Sequence, residues 1–122
     1  MKSYTDIEQS EVLEKILPPE SADMYWDSKD FSLVNTPRIH VEPNCGANAW
    51  VLANGGVIAW SLDALLNIIN TNYYTTLYHD GVAWNIDIIH HDNVKEKYNM
   101  YADYPVNACY ELILKLHELN LL

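Results

Sequence analysis

The apolar positions near the end of the chain repeat at the three-and-four spacing of one helix face. The residues of this face are Val106, Cys109, Leu112, Ile113, Leu116 and Leu119. Pro105 suits the first helical turn, and Asp103 is placed to cap it. On the opposite face, Glu111 and Lys115 lie four residues apart in the favourable order, which predicts a solvated side. A helix this apolar requires a surface to pack against.

A hairpin with alternating polarity provides that surface. Residues 73–78 and 82–89 are rich in β-branched and aromatic side chains, and His79-Asp80-Gly81 between them contains a strong two-residue turn signal. In the second strand Asn85 and Asp87 share the polar face, and the other face is apolar. The apolar residues of that strand are Trp84, Ile86 and Ile88.

These two patterns predict the surface on which the C-terminal helix packs. We expect the sheet from Ala49 to Ile89 to carry the helix on one face. Within that packing, we expect Ile113 and Leu116 to be buried against Trp84 and Ile88.

A first hairpin and a central helix precede this segment. Two apolar runs, residues 49–53 and 57–60, flank Asn54-Gly55-Gly56, which is typical of a tight turn between strands. Ser61 is placed to cap a helix that closes at residues 70–72. The apolar residues of this predicted helix are Leu62, Leu65, Leu66 and Ile69.

The N-terminal residues predict two short helices. Thr5 and Glu8 have the spacing of a capping box, and an apolar stripe follows them. Pro18-Pro19 ends this helix, because a residue that precedes proline is disfavoured in the α conformation. A second short helix is predicted over Glu20–Trp26. The stripe of the first helix consists of Val12, Leu13, Ile16 and Leu17.

The segment between Asp27 and Asn48 gives mixed signals. Alternating apolar residues predict short strands interrupted by proline, and residues 43–46 predict a turn. The apolar residues are Phe31, Leu33, Ile39 and Val41, and the prolines are Pro37 and Pro43. The complete pattern predicts an α+β fold over residues 1–122 as a single domain. It consists of a small antiparallel sheet of β-hairpins, with the C-terminal helix on one face and a short N-terminal helical layer.

Length and cysteine content agree with one globular domain. The chain has 122 residues, of which 49% are hydrophobic, and no apolar run is long enough to cross a bilayer. The N-terminus lacks the apolar core of a signal peptide. Cys45 and Cys109 are far apart and lack CxxC spacing, which favours reduced thiols and a cytoplasmic protein.

Charge excludes two classes of partner. Seventeen acidic residues against seven basic ones give a net charge of −10, and Arg38 is the single arginine. Binding to nucleic acid depends on clusters of Lys and Arg that release counterions from phosphates. We therefore expect neither nucleic-acid binding nor docking on an anionic membrane. Acidity keeps a small protein soluble, or it matches a basic protein surface.

Catalytic and metal-binding patterns are weak. His90-His91-Asp92 and His79-Asp80 contain possible metal ligands, but adjacent histidines on a strand point to opposite faces. A solvated strand end is the better interpretation. Cys45 beside Gly46 lacks a recognisable Cys-His signature for a nucleophile. No phosphate-binding loop or nucleophile elbow is present. We expect no catalytic residue, no metal, no cofactor and no enzymatic activity.

Four segments resemble a known group of proteins. They are SYTDIEQS at residues 3–10, ILPPESADMYW at 16–26, WSLDALL at 60–66 and NACYELILKLHELNLL at 107–122. The chain is similar in these segments to a family of small acidic proteins carried by phages and mobile elements of gut Bacteroidales bacteria. The family has no assigned chemistry or functional residues. The resemblance implies an accessory protein that acts in a bacterial cytoplasm during infection.

Aromatic composition is the remaining signal for binding. Four tryptophans and nine tyrosines accompany one phenylalanine, and Trp and Tyr are preferred at interfaces and ligand pockets, where one end stays polar. We expect the most exposed aromatic segments to be Tyr73-Tyr74 and residues 98–104. The predicted ligand-binding residues are Trp50, Trp60, Tyr73, Tyr78 and Trp84, with Arg38 near any anionic group. The alternative is that the tryptophans fill a small core and form cross-strand pairs.

Three functional classes remain. The first is a non-enzymatic protein that inhibits host defence, either by sequestering a nucleotide-derived immune signal between aromatic side chains or by covering a host defence protein. The second is an acidic decoy of DNA, and the third is a phage accessory component without a ligand. The late aromatic residues also favour a homo-oligomer, with its contact in the second hairpin and the segment Tyr98–Tyr104.

Overall fold

The structure, a computed structural model, describes residues 2–26 and 56–122 and the backbone of residues 38 and 39. The chain divides into two compact units. The N-terminal unit comprises residues 4–64, and the C-terminal unit comprises residues 1–3 and 65–122. Both consist of helices and antiparallel sheet, so the predicted α+β class is confirmed.

Helix α1, Ile7–Glu14, opens the N-terminal unit. Its N-cap is Asp6, which accepts the backbone N–H of Gln9, while the Gln9 side chain accepts the backbone N–H of Asp6. The capping box is therefore one residue later than the predicted Thr5 and Glu8 pair. The Thr5 hydroxyl is buried, where it contacts Ser10 Oγ at 2.7 Å and accepts the backbone N–H of Trp60 at 3.0 Å.

The predicted second helix over Glu20–Trp26 is wrong. A single 3-10 turn forms over Pro19–Ser21, and strand β1 follows at Met24–Trp26. Seven residues after a proline form too few hydrogen bonds to offset helix nucleation, whereas alternate residues of β1 are buried. The core of this unit gathers buried side chains from α1, β1 and residues 57–59, namely Ile7, Met24, Trp26, Val57 and Ala59.

A three-stranded antiparallel sheet has the order β2-β1-β3. Strand β2 is Arg38–Ile39 and β3 is Val57–Ala59. Both flank β1, with Tyr25 opposite Arg38 on one side and opposite Ile58 on the other. The strand predicted around Ile39 is therefore confirmed for two residues. The other predicted features of residues 27–55 lie outside the described residues: the strands at Phe31, Leu33 and Val41, the turn at 43–46 and the first hairpin strand with its Asn54-Gly55-Gly56 turn.

Helix α2, Leu62–Asn70, confirms the predicted central helix. Ser61 caps it, since its Oγ accepts the backbone N–H of Ala64 at 3.1 Å. The same hydroxyl donates to Asp23 Oδ2, and Asp23 Oδ1 accepts the backbone N–H of Ser61 at 2.9 Å. The cap is thus connected to the residue that precedes β1.

The C-terminal unit contains a second antiparallel sheet of order β4-β5-β6. Strands β4, Tyr73–His79, and β5, Trp84–His90, form the predicted second hairpin. The connection is a four-residue loop over residues 80–83 rather than the predicted two-residue turn. Gly81 in this loop has φ +95°, which L side chains rarely adopt. The third strand, β6, Lys97–Ala102, was not predicted.

Helix α3, Pro105–Glu118, packs against β5 and β6, so the C-terminal helix lies on an antiparallel sheet as predicted. The predicted single sheet from Ala49 to Ile89 is wrong, because β3 pairs with β1 in the other sheet and only β4 and β5 belong to this one. Ile113, Leu116 and Ile88 are buried as expected, while Trp84 is half-buried. The predicted Asp103 cap is wrong. The N-cap is Tyr104, without a side-chain hydrogen bond, and Asp103 instead accepts the Asn107 side-chain amide.

Two further predictions concern the membrane and the thiols. Among the described residues, no helix combines the length and the apolarity that a membrane span requires. Cys109 is a free, fully buried thiol, and burial raises its pKa to about 12. Cys45 lies outside the described residues.

Candidate functional site

Trp60, one of the predicted ligand-binding residues, is a core residue of the N-terminal unit. Its side chain has no exposed surface. The indole N–H donates to Ser21 Oγ at 2.9 Å, so its polar atom is already satisfied. In this structure neither the ring face nor the N–H of Trp60 is open to a ligand, which matches the alternative prediction that some tryptophans fill the core.

Tyr73, another predicted ligand-binding residue, is buried in the C-terminal unit with 3% of its surface exposed. Its hydroxyl donates to Glu96 Oε1 at 3.0 Å. The ring makes edge contacts with His90 and Tyr98, at centroid distances of 5.2 and 6.5 Å. Burial first, and then the hydrogen bond and negative charge of Glu96, raise the pKa of Tyr73 to about 12. Its contacts are those of a packing residue.

Strand register keeps Tyr73, Tyr78 and Trp84 apart. Tyr73 is opposite His90 and Trp84 is opposite His79, so these two aromatic residues lie at opposite ends of the hairpin. Tyr78 is opposite Asn85, and alternation places it on the other face of the sheet from Trp84. The three side chains therefore do not line one pocket. Of the remaining predicted site residues, Trp50 lies outside the described residues and Arg38 is described only as backbone in β2.

A different set of side chains does come together, on the face of β4-β5-β6 opposite the one that carries Ile86 and Ile88. We call this set the outer face. Cross-strand register arranges it in three rows across the sheet. The rows are Tyr74, Ile89 and Lys97; Thr76, Asp87 and Asn99; and Tyr78, Asn85 and Tyr101.

Three tyrosines stand at corners of the outer face and are open to solvent. Tyr74 is 66% exposed, Tyr101 68% and Tyr78 39%. Tyr74 also contacts the His91 ring, with centroids 4.5 Å apart. Aromatic rings carry large apolar areas, and an exposed group of them marks a surface suited to binding.

Polar side chains fill the space between the tyrosines and bond to one another. Asn99 Nδ2 donates to Asp87 Oδ1 and, at 3.5 Å, to Asn85 Oδ1. Asn85 Nδ2 donates to Asp80 Oδ2 at 2.8 Å and to the Ala83 carbonyl at 3.3 Å. Desolvation first, and then a hydrogen bond to Asp87, raise the pKa of Tyr78. This network holds the side chains of the outer face in place before any ligand arrives.

The hairpin loop anchors one end of the network. Asp80 Oδ1 accepts the backbone N–H groups of Val82 and Ala83, both at 2.8 Å. These two bonds, that of Ala83 first, together with the Asn85 amide, lower the pKa of Asp80 to about 2. Asp80 is therefore a carboxylate at every physiological pH, and it fixes the orientation of Asn85.

Three histidines, His79, His90 and His91, lie at separate places in and beside the hairpin. His91 contacts Tyr74 beside the outer face, whereas His90 contacts Tyr73 on the opposite face. His79 pairs with Trp84 at the far end of the strands. Within the described ranges, no three His, Cys, Asp or Glu side chains are grouped as metal ligands.

Sequence reasoning identified part of the outer face. Tyr74, Tyr101 and Tyr104 were expected to be exposed, and they are. Tyr73 was also expected to be exposed, and it is buried instead. Tyr98, expected to be exposed as well, is half-buried and contacts the Tyr73 ring. The contribution of β6 was missed, although the alternation of residues 97–102 is a signal for a strand. Without a predicted β6, the sequence gives no reason to place Asn99 beside Asp87.

Comparison with known proteins adds no further assignment. No protein-family model matches the chain, and neither a curated protein nor a solved structure matches it.

Proposed function

We propose that the chain is a non-enzymatic binding protein that covers a surface of another protein with its outer face. The observation that carries this proposal is the set of three exposed tyrosines held in register around a hydrogen-bonded polar network. Tyrosine and asparagine dominate protein-binding surfaces of this kind, because tyrosine supplies contact area at little entropic cost and asparagine adapts its hydrogen bonds.

Preorganisation strengthens the proposal. The tyrosines project from paired strands, and the polar side chains between them are already bonded to one another. Binding at such a surface orders few side chains, so less of the interaction free energy is lost on association.

Charge indicates the chemistry of the partner. The chain carries a net charge of −10, and Asp87 and Asp80 lie in or beside the outer face, with Lys97 as its one cation. Complementary charge speeds association and selects partners, which favours a basic protein surface. In the bacterial cytoplasm that the resemblance implies, we propose that this partner is a component of host defence. Inhibition of that component is then the biological role.

Sequestration of a nucleotide-derived signal is the second candidate. Exposed tyrosines on a sheet are suited to stacking on nucleobases, and this observation favours it. Against it, Trp60 and Tyr73 are buried with satisfied polar atoms, and the outer face offers a phosphate only Lys97 among the described residues. We therefore rank this candidate below protein binding. The acidic decoy and the accessory component without a ligand stay as alternatives.

The experiment compares two sets of variants in affinity capture from lysates of Bacteroidales cells with active defence systems. Replacement of Tyr74 and Tyr101 by Ser removes two exposed rings, and the control Tyr104→Ser removes an exposed tyrosine outside the outer face. Quantitative mass spectrometry should identify a protein retained by the wild type and the control and lost by the double variant. With that protein purified, calorimetry should give a loss of at least about tenfold in affinity for the double variant.

Two results would count against the proposal. Equal retention of every captured protein by the double variant and the wild type would remove the outer face as the binding surface. If no protein is captured and calorimetry detects binding of a cyclic dinucleotide or an ADP-ribose-type signal, sequestration of that signal becomes the proposed function.

A further inference from the structure

We infer that Asp87 is a receptor for an arginine side chain of the partner, a step that rests on the proposed function of the outer face. Asp87 occupies the centre of the three rows, between Thr76 and Asn99, and is half-buried. A carboxylate has roughly four lone-pair positions for hydrogen bonds. The Asn99 amide donates to one oxygen of this carboxylate, which leaves acceptor positions for a ligand.

The amide donors around Asp87 are already used. The two N–H groups of the Asn99 amide donate to Asp87 and Asn85. Those of the Asn85 amide donate to Asp80 and the Ala83 carbonyl. What these two amides still present to a ligand is therefore acceptor oxygen.

An acceptor-rich site of this kind complements a group that only donates. Arginine has five N–H donors in a planar fork and no acceptor, and it pairs with a carboxylate through two parallel bonds. Its flat guanidinium also stacks on aromatic rings, and Tyr78 and Tyr101 stand in the row beside Asp87. Lysine offers a point charge that uses neither the fork geometry nor the ring faces as well.

Among the described residues, Asp87 has no cation of its own. Lys97 belongs to the next row, opposite Ile89, and no Lys or Arg side chain in the described part of the chain pairs with Asp87. Because a phosphate brings only acceptors and negative charge, the same arrangement disfavours it.

The test uses capped tripeptides Gly-Arg-Gly, Gly-Lys-Gly and Gly-citrulline-Gly, titrated into the full-length isotope-labelled protein and followed by amide NMR. Citrulline keeps the length of arginine without its charge. We expect the arginine peptide to shift the amides of Asp87, Asn85 and Asn99. It should bind at least about fivefold more tightly than the lysine peptide, and citrulline should not bind measurably.

Two variants distinguish the effect of the Asp87 carboxylate from the effect of the overall negative charge. Asp87→Asn keeps the size of the side chain and should weaken arginine-peptide binding about tenfold, since it removes the charged acceptor. Asp92→Asn, a change of the same charge at an exposed loop position, should leave that binding unchanged. The amide spectrum of each variant reports whether it is folded.

Two outcomes overturn the inference: equal affinity for the arginine and lysine peptides, or amide shifts confined to residues away from Asp87, Asn85 and Asn99. Failure here is distinguishable from failure of the proposed function. If the tyrosine double variant loses the captured protein and Asp87→Asn retains it, the arginine receptor is wrong and the binding face stands. If the double variant retains the protein, the binding face itself is wrong.

Discussion

Adjacent tyrosines in this chain have opposite environments. Tyr73 is 3% exposed and bonded to Glu96, while Tyr74 is 66% exposed on the outer face. Composition does not distinguish the exposure of the two residues, since both belong to a strand rich in aromatic residues. Alternation along β4 decides between them, because successive side chains of a strand point to opposite faces.

The ionisation of Tyr73 provides a prediction at this scale. One of the nine tyrosines should titrate near pH 12 in the folded protein, because burial and Glu96 raise its pKa from the ordinary 10.0 to about 12. Ultraviolet absorbance of tyrosinate against pH measures this step. Tyr73→Phe should remove it, and Tyr74→Phe should not.

The same shift sets a pH dependence of stability. Because the folded-state pKa is raised, the contribution of Tyr73 is complete below about pH 10 and is lost as pH rises through about 12. Chemical denaturation should therefore show the free energy of unfolding of the wild type falling relative to that of Tyr73→Phe over that interval. A difference between them that stays constant from pH 9 to 12 would contradict the assignment.

Single residues also decided where elements begin. Asp6 rather than Thr5 caps α1, because the Thr5 hydroxyl is used by the Trp60 backbone and Ser10. Asp is at least as good an N-cap as Thr, so the shift by one residue costs the helix nothing. At the other end of the chain, Asn120 has φ +58° just beyond α3. The Leu121 N–H bonds to the Leu116 carbonyl there, in the pattern of a Schellman cap.

At the scale of elements, α3 and the sheet beneath it form the best-determined pairing. The predicted apolar face is buried except at Leu119, which is 40% exposed at the C-cap, and Pro105 and Ala108 are buried in addition. Leu116 and Leu119 are therefore a matched pair on one helix, one with no exposed surface and one at the rim.

Leu116→Ala should lower the free energy of unfolding by about 2–5 kcal/mol, because it leaves a cavity in a packed core. Leu119→Ala should change it by no more than about 0.5 kcal/mol, as at an ordinary surface position. Urea denaturation followed by circular dichroism measures both. Similar values for the two variants would show that α3 does not pack as described.

Strands β1 and β6 are the two elements that the sequence pattern did not predict: residues 24–26 fall in a predicted helix, and residues 97–102 carry no predicted element. Strand β1 depends on β2 and β3 for its hydrogen bonds, and β6 depends on β5. Hydrogen bonding between strands is a tertiary interaction, so short strands carry a weaker signal in the local sequence than helices of nine or fourteen residues.

At the scale of the molecule, charge is unevenly divided. Residues 4–64 contain ten acidic and three basic residues, while residues 65–122 contain seven and three. The outer face thus belongs to the less acidic part of the chain. Repulsion among the acids opposes the compact state and is screened by salt.

Salt should therefore act on stability and on binding with opposite signs. Raising NaCl from about 10 mM to about 0.5 M should increase the melting temperature, because screening relieves repulsion within the chain. The same change should weaken binding of the basic partner captured by the outer face. Thermal circular dichroism and calorimetry measure the two effects.

The control for this prediction is a melt near the sequence pI of about 4.6, where the effect of salt on stability should be small. Stabilisation by salt that is equally large at both pH values would point to general salting-out instead. A partner affinity that does not respond to salt would argue against charge complementarity.

Two whole-molecule expectations stay predictions. One is that residues 1–122 behave as a single domain. The other is the homo-oligomer with its contact in the second hairpin and Tyr98–Tyr104. Light scattering across a concentration series measures the oligomeric state.

The sequence by itself determined the elements whose signals are local. The periodicity of α2 and α3, the Ser61 cap and the Asp80-Gly81 loop between β4 and β5 are all read within a few residues of the chain. Only the tertiary structure decided which aromatic side chains face solvent, because that depends on the register of three strands and the position of α3. The candidate site belongs to this second kind. Asp87, Asn99 and Tyr78 are up to 21 positions apart in the sequence and meet only when β6 pairs with β5.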